Sequence, residues 1–288
     1  MNIKKTNFKL AALAILTAGA ALSACNDIEP GDRYKELPPI DAKRGVLLEE
    51  FTGQKCVNCP EAHDIIKGLK QQYGDQLIVV GIHSGGDAFS IGDGDAVWGG
   101  ITQCLRVPDG EEYAKKAGVV SGVGLPIGAI NRTSGLVGRN AWSDIIRNEI
   151  QKEPIVDIDL QPELVNDASG EPTKLKITAD LKISTDKVAC NLQLWILESD
   201  ITALQYGLNN SFNFDYKHDH VFRAAVNGFN GEAVSIVHGT PTTIEHEIDL
   251  DAKWNPENLS VVGFVYNGSG VLQAVEAKVS SGSDEPEE

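Results

Sequence analysis

The chain has 288 residues, with 41 acidic and 25 basic side chains and a formal net charge of −16. This acidity argues against a nucleic-acid partner, because phosphate binding needs clustered Lys and Arg. The length remaining after a leader is removed suffices for two domains, each with its own core.

The N-terminus has the pattern of an export signal. Residues 1–9 carry three lysines and no acid, and residues 10–22 are apolar and uncharged. That run is shorter than the roughly 20 residues of a membrane-spanning helix. It ends in Leu-Ser-Ala before Cys25, which resembles a bacterial lipobox. We therefore predict a lipoprotein signal peptide over residues 1–24 and a lipid such as palmitate on Cys25; an ordinary secretory signal with an incidental cysteine is the alternative.

Residues 25–43 are polar and contain Pro30, Gly31, Pro38 and Pro39. This composition predicts an extended tether between the lipid and the folded body. The protein is expected in the cell envelope as an outer-membrane lipoprotein, on either its periplasmic or its surface face.

The first folded unit is expected to be a βαβ unit. Residues 46–48 read as a buried strand, apolar positions at helical spacing end at Tyr73, and residues 77–82 form a second apolar run. Between the first strand and the helix lie Cys56 and Cys59. The free N–H groups at a helix N-terminus stabilise a thiolate, so Cys56 is predicted to be the attacking sulfur and Cys59 the resolving one.

This arrangement resembles the thioredoxin family. Glu50 lies six positions before Cys56, where that family has a buried acid, and Phe51 follows it. Pro126, after Leu125, matches the cis-proline that opens a later strand and faces the cysteines. The resemblance implies catalytic roles for Cys56, Cys59, Glu50 and Pro126. The residues inside and beside the cysteine pair differ from the family pattern, which leaves the redox potential open.

The predicted thioredoxin-like domain covers residues 44–153. It contains an insertion over residues 84–118, Gly-rich and then helical, and a closing helix over residues 141–151. Two alternatives for the cysteine pair are a structural disulfide and a zinc site that adds His63 and His83. The second ligand pair typical of structural zinc is missing, so neither a metal nor a cofactor is predicted.

After Pro154 the pattern changes to alternation typical of strands. Seven strands are predicted, at residues 155–160, 174–183, 187–197, 221–226, 243–250, 259–266 and 271–279. They indicate an all-β, immunoglobulin-like sandwich over residues 154–280, followed by an acidic tail at 281–288. The predicted fold class is therefore an α/β thioredoxin-like domain followed by a β-sandwich.

The order of lipobox, cysteine-pair unit with Gly-Leu-Pro, and sandwich bearing residues 215–223 resembles the twenty-eight-kilodalton outer-membrane-protein-related family of envelope lipoproteins. The resemblance implies an outer-membrane location and, for some members, a role in adhesion or binding. Within residues 215–223, His218 and His220 form a possible ligand or metal site if the segment is extended. Polar residues at the rim of a strand are the alternative.

From these patterns we predict a lipid-anchored thiol–disulfide oxidoreductase that exchanges disulfides through Cys56 and Cys59. Its expected partners are the membrane, through the lipid, and exported cysteine-containing proteins or a redox donor. The alternative is a non-enzymatic surface lipoprotein that acts in adhesion or binding.

Overall fold

The structure, a computed structural model, describes residues 43–93, 96–97, 100–101 and 103–281. The predicted signal peptide, the lipidation site Cys25, the tether up to residue 42 and the tail from residue 282 lie outside the described residues. Within the described part, no helix is both long and apolar enough to cross a bilayer.

The first part of the chain alternates strands with helices. Its helices are α1 (Cys59–Tyr73), α2 (Pro108–Ala117) and α3 (Trp142–Ile150). Its strands are β1 (Val46–Thr52), β2 (Leu77–His83), β3 (Ala96–Val97), β4 (Gly100–Ile101), β5 (Ile127–Ile130) and β6 (Leu136–Val137). The predicted βαβ unit and the predicted helices at 111–117 and 141–151 are confirmed to within a few residues.

Helix α1 follows from its apolar spacing. Ala62, Ile66 and Leu69 recur on one face and are buried against the sheet. The helix ends at Gly74, whose φ of 55° lies in the left-handed region that glycine adopts without steric cost. Its backbone N–H donates to the carbonyl of Lys70 and so closes the last turn.

The second part consists of strands. They are β7 (Val156–Asn166), β8 (Pro172–Ile183), β9 (Lys187–Glu198), β10 (Ile201–Gly207), β11 (Ser211–His218), β12 (Val221–Ala225), β13 (Glu232–Val237), β14 (Thr242–Asp249), β15 (Leu259–Asn267), β16 (Gly270–Lys278) and β17 (Ser280–Ser281). All seven predicted strands are present. Strands β10, β11, β13 and β17 were not predicted. The described chain is predominantly β.

A nine-stranded sheet organises the fold, in the order β16-β15-β9-β12-β2-β1-β5-β6, with β13 also paired to β9. Strands β1 and β2 are parallel, whereas β5 runs antiparallel to β1. A four-stranded sheet, β14-β8-β7-β17, and a separate hairpin, β10-β11, complete the main pairings.

Strand β12 joins the two halves of the chain in this one sheet. It pairs in parallel with β2 at Val221 and Gly81, and antiparallel with β9. The backbone N–H of Gly81 also donates to the carbonyl of His220 at 2.8 Å. That residues 44–153 and residues 154–280 fold as separate domains remains a prediction. In the structure, strands from both ranges pair in one sheet.

Three larger apolar clusters cover the faces of the large sheet, and a fourth, small one contains Leu105, Ile201, Ala203 and Val221. One lies between β1, β2 and helices α1 and α3. A second lies between the four-stranded sheet and strands β9, β13 and β15 of the large sheet, so that the two sheets pack as two β layers. The third, on the remaining face, includes Trp195, Phe222 and Phe264 with Tyr113 of α2, and it also contains Cys56 and Cys59. We call this third group the aromatic cluster.

Candidate functional site

A cavity of about 380 Å³ lies between helix α1, the ends of β1 and β2, and hairpin strand β11. Four of the six histidines of the chain line it: His63, His83, His218 and His220. We call it the histidine cavity. Its other lining residues are Glu50, Thr52, Asp64, Ile66, Lys67, Lys70, Val79, Gly81, Tyr216, Lys217 and Asp219.

His63 connects three elements around this cavity. From α1, its Nε2 atom lies 3.2 Å from Thr52 Oγ1 and 3.3 Å from a carboxylate oxygen of Glu50, both on β1. Its Nδ1 atom is hydrogen-bonded to the hydroxyl of Tyr216 on β11 at 2.7 Å. The ring therefore joins the helix, the central sheet and the hairpin.

The charges around the cavity favour a protonated His63. Burial lowers the pKa of this imidazole, but the Glu50 carboxylate, and less strongly Asp64 and Asp219, raise it above its ordinary value. Burial raises the pKa of the Tyr216 hydroxyl to about 12, with the same acids adding to the effect. Tyr216 is therefore neutral at physiological pH and can donate or accept a hydrogen bond.

His83 and His218 form the buried side of the cavity. His83 ends β2 and is 4% exposed; His218 ends β11 and is 2% exposed. Their ring centroids lie 5.4 Å apart at an interplanar angle of 61°. Among the described residues, the Nδ1 atom of His83 has no hydrogen-bond partner, and the ring nitrogens of His218 make only weak contacts with the backbone at Ala203 and Leu204. Two buried imidazoles thus face each other with polar atoms unsatisfied, which is uncommon.

Both rings are neutral at physiological pH. Burial lowers the pKa of His83 well below its ordinary value, and the positive charge of neighbouring groups adds to this. Burial and the charge of His63 lower the pKa of His218 to about 3, against the opposite effect of hydrogen-bonding contacts with the backbone at Ala203 and Leu204. A neutral imidazole keeps one nitrogen lone pair free to accept a proton donor or a metal ion.

His220 lies at the cavity beside a tight turn. Its φ of 56° takes the chain out of strand geometry immediately after β11. Its Nδ1 atom is 3.6 Å from a carboxylate oxygen of Glu276. The expected extended pairing of His218 with His220 is therefore replaced by a pairing of His218 with His83, although both predicted histidines line the same cavity.

The predicted cysteine pair forms a buried disulfide. Cys56 and Cys59 are bonded to each other, with exposed fractions of 2% and 0%. Gln205 on β10 donates its side-chain N–H to the carbonyl of Cys56 at 3.0 Å. The zinc alternative is not formed in this structure, because both thiols are consumed in the disulfide. Within the described ranges, no three or more His, Cys, Asp or Glu residues are close enough to hold a metal ion together.

The remaining predicted site residues lie on neighbouring strands, since Glu50 of β1 pairs with Gly128 of β5 and Pro126 directly precedes β5. The Leu125–Pro126 peptide bond is cis, as the thioredoxin resemblance implies, and Leu125 packs in the aromatic cluster with both cysteines. Glu50 instead lines the histidine cavity, and its charged neighbour is His63.

Sequence reasoning missed Tyr216 as a site residue. Its signal was present, since Phe212, Phe214, Tyr216 and His218 alternate, and such alternation is typical of a strand with Tyr216 and His218 on one face. This strand was not predicted; in the structure it is β11. His83 could not be connected to it by pattern alone.

Comparisons with known proteins identify relatives of the chain. The family model described as outer membrane protein Omp28 matches residues 114–283. Among solved structures, HBP35 of Porphyromonas gingivalis aligns with a TM-score of 0.62 and 17% identity, covering 85% of this chain and 79% of that one. A domain of the outer membrane lipoprotein Omp28 from the same organism aligns with a TM-score of 0.31 and 22% identity, covering 45% and 92%. A comparison with curated protein sequences finds no match.

These findings correct the predicted activity. The prediction of a thiol–disulfide oxidoreductase is wrong: the matched family is described as an outer membrane protein, which supports the alternative of a non-enzymatic envelope lipoprotein. The structure supplies a physical reason, because exchange requires an attacking sulfur that a partner can reach. Cys56 is almost fully covered in this fold.

Proposed function

The chain belongs to the Omp28 family of outer membrane proteins, and we propose that it is a non-enzymatic lipoprotein that binds a small ligand in the histidine cavity. Its location is the outer membrane of the bacterial cell envelope. The lipid on Cys25 would supply the membrane anchor, and the folded body would supply the binding site.

One observation carries this proposal: two buried imidazoles, His83 with an unpaired Nδ1 atom and His218 with only weak backbone contacts, line a cavity large enough for a ligand. Pockets for small molecules enclose about 300–1,000 Å³ and combine apolar walls with a few convergent polar groups. The histidine cavity has about 380 Å³. Leaving a buried polar atom unpaired costs about 1–3 kcal/mol, so a ligand that pairs with His83 or His218 recovers part of that cost.

Binding is favoured over catalysis by the remaining polar groups of the cavity. The Glu50 carboxylate and the Tyr216 hydroxyl are both engaged by His63. These three side chains stabilise the wall of the cavity. They therefore form part of a wall that a ligand can contact, rather than an activated nucleophile for catalysis.

We also propose a fold-level description for each half of the chain. Residues 44–153 would form a thioredoxin-like unit; its support is the parallel pair β1 and β2, the helix α1 between them, and the antiparallel β5 that follows the cis Pro126. Residues 154–280 would form an immunoglobulin-like sandwich; its support is the apolar layer between β7, β8 and the β9 side of the large sheet.

Ligand-observed NMR on the purified chain tests the binding proposal. The probe is a fragment library bearing carboxylate, phenol, amine and imidazole groups, in the presence of EDTA. We expect a subset of fragments to bind and to be lost in Gly81→Val, because a side chain at Gly81 enters the cavity with only ordinary contacts at its Cβ. Gly68→Val is the matched control, since a Cβ there meets no atom within 4 Å.

Two results would contradict the proposal. One is a folded wild-type chain that binds no fragment. The other is a set of fragments that binds equally to Gly81→Val, with circular dichroism showing that the variant is folded. Gly81→Ala serves as a second, milder variant if Gly81→Val does not fold.

A further inference from the structure

We propose that His83 and His218 together bind one borderline divalent metal ion, of the class of Zn²⁺, Cu²⁺ or Ni²⁺, inside the histidine cavity. Water or atoms of a ligand molecule would fill the other coordination positions. This inference rests on the proposed binding function and specifies the chemistry of its site.

The spacing of the two rings fits a shared ion. Metal–nitrogen distances of about 2.0–2.1 Å and a tetrahedral angle place the centroids of two coordinating imidazoles about 5 Å apart. The centroids of His83 and His218 are 5.4 Å apart. Both rings end strands, β2 and β11, so the backbone holds them with little freedom.

The scarcity of hydrogen bonds to the rings of His83 and His218 also favours a bound metal ion. A histidine that packs only for structure normally satisfies its ring nitrogens when it is buried. Among the described residues, the Nδ1 atom of His83 has no hydrogen-bond partner and the ring of His218 has only weak contacts with the backbone at Ala203 and Leu204, while each side chain is more than nine-tenths buried. Neutral imidazole is the form that binds a metal, and burial keeps both rings neutral.

The class of ion follows from the donor atoms. Imidazole nitrogen suits Zn²⁺, Cu²⁺ and Ni²⁺, whereas Mg²⁺ and Ca²⁺ require oxygen ligands. The carboxylates of Glu50, Asp64 and Asp219 also line the cavity, and the ammonium groups of Lys67, Lys70 and Lys217 balance their charge, so the imidazole nitrogens rather than net charge select the ion. With two protein ligands, a tetrahedral ion would keep two positions for water or an exogenous ligand, one more than a catalytic zinc site with three protein ligands keeps.

The test is equilibrium dialysis of the EDTA-stripped full chain in detergent against Zn²⁺, with Mg²⁺ as the hard-ion control. We expect one Zn²⁺ per chain and no Mg²⁺ bound. His83→Gln and His218→Gln should each weaken Zn²⁺ binding by more than about tenfold, since even loss of an outer-shell partner costs about 10–100-fold. Substitution with Co²⁺ should give visible absorption bands typical of nitrogen ligation, and these bands should disappear in both variants.

His238→Gln and His246→Gln are matched controls, because both histidines have partners elsewhere: Ile183 O for His238 and Glu232 for His246. Circular dichroism and thermal unfolding check that every variant is folded. The inference is overturned if the folded wild type binds no Zn²⁺ stoichiometrically, or if His238→Gln and His246→Gln weaken binding as much as the cavity variants do. If fragments bind in EDTA but Zn²⁺ does not bind, the metal inference is overturned and the proposed ligand-binding function stands. If no fragment binds, the proposed function is overturned.

Discussion

The Nδ1 atom of His63 lies 2.7 Å from the hydroxyl oxygen of Tyr216, although the two residues are 153 positions apart in the chain. The contact joins α1 to the β10-β11 hairpin. It therefore couples the predicted α/β part of the protein to the predicted β part at the histidine cavity.

The first prediction concerns this contact. Tyr216→Phe should lower the free energy of unfolding by about 0.5–1.5 kcal/mol, the net contribution of one hydrogen bond. His63→Ala should cost about 1–3 kcal/mol, because the buried Glu50 carboxylate loses its partner as well. Urea unfolding measures both. Tyr206→Phe is the control, because the ring of Tyr206 contacts Phe212 and no hydrogen bond to its hydroxyl is found among the described residues. If Tyr216→Phe and Tyr206→Phe lower the free energy of unfolding equally, the hydrogen bond between His63 and Tyr216 contributes nothing.

A second prediction concerns pH and Glu149 on α3. Burial raises the pKa of this carboxyl, but hydrogen bonds from Lys152 and Asn131 and the charge of Arg44 together lower it below its ordinary value. Because the folded-state pKa is depressed, the stability that Glu149 contributes is present above its unfolded pKa and is lost as the pH falls through the folded value. The difference in unfolding free energy between wild type and Glu149→Gln should therefore shrink between about pH 6 and pH 3.

Urea titrations at several pH values measure that difference. Glu153→Gln, an exposed position just beyond α3, provides the comparison. A difference for Glu149→Gln that stays constant across the range would mean that its ionisation is not linked to folding.

The third prediction concerns access to the disulfide. Reduction of Cys56–Cys59 by a phosphine in the folded protein should be slow, and denaturant should accelerate it, because both sulfurs are covered. Phe89 packs against the aromatic cluster that contains both cysteines. Phe89→Ala should therefore speed reduction severalfold, whereas Leu208→Ala, which removes a 59% exposed side chain, should not. Timed alkylation and mass spectrometry follow the reaction, and rapid reduction of the wild type would show that burial does not protect the pair.

A fourth prediction tests the anchor. Cys25→Ala should abolish incorporation of labelled palmitate and release the protein from the membrane fraction, because a lipid on this cysteine is the predicted source of membrane affinity. Ser23→Gly, which keeps a small residue before the cysteine, should leave both unchanged. Membrane fractionation and labelling that persist in Cys25→Ala would exclude the lipobox assignment.

The fifth prediction concerns separate folding. Residues 154–280 expressed alone should be β-rich by circular dichroism, because the apolar layer between β7, β8, β9 and β15 lies within that range. The fragment should also bind a hydrophobic dye, since Trp195, Phe222 and Phe264 lose their cover. Adding residues 44–153 in trans should reduce dye binding. An unfolded fragment would contradict two autonomous units, and a fragment that binds no dye would show that the shared sheet contributes little.

The sequence alone predicts the local elements well, for reasons that can be named. Helix α1 is fixed by Ala62, Ile66 and Leu69 at helical spacing, and β9 by its long apolar run. The family and the outer-membrane location are likewise confirmed. These features depend on the order of neighbouring residues, which the sequence displays directly.

The prediction of activity failed because a cysteine pair at a helix N-terminus predicts chemistry only if the sulfurs are accessible. Accessibility depends on what covers them. The residues that contact the cysteine pair come from distant positions in the sequence. Gln205 donates a hydrogen bond to the carbonyl of Cys56, and Phe89 packs against the aromatic cluster. Local spacing contains no information about such contacts.

The sequence by itself determined the βαβ unit around α1 and the seven predicted strands of the second part, whereas β10, β11, β13 and β17 became known only from the structure. Only the tertiary structure decided that β12 pairs with β2, and that His218 thereby meets His83 rather than His220. The physical reason is that backbone hydrogen bonds between strands are the same for every sequence, so the choice of partner strand depends on packing of the whole sheet. The histidine cavity exists because that choice brings the ends of β2 and β11 together beside α1.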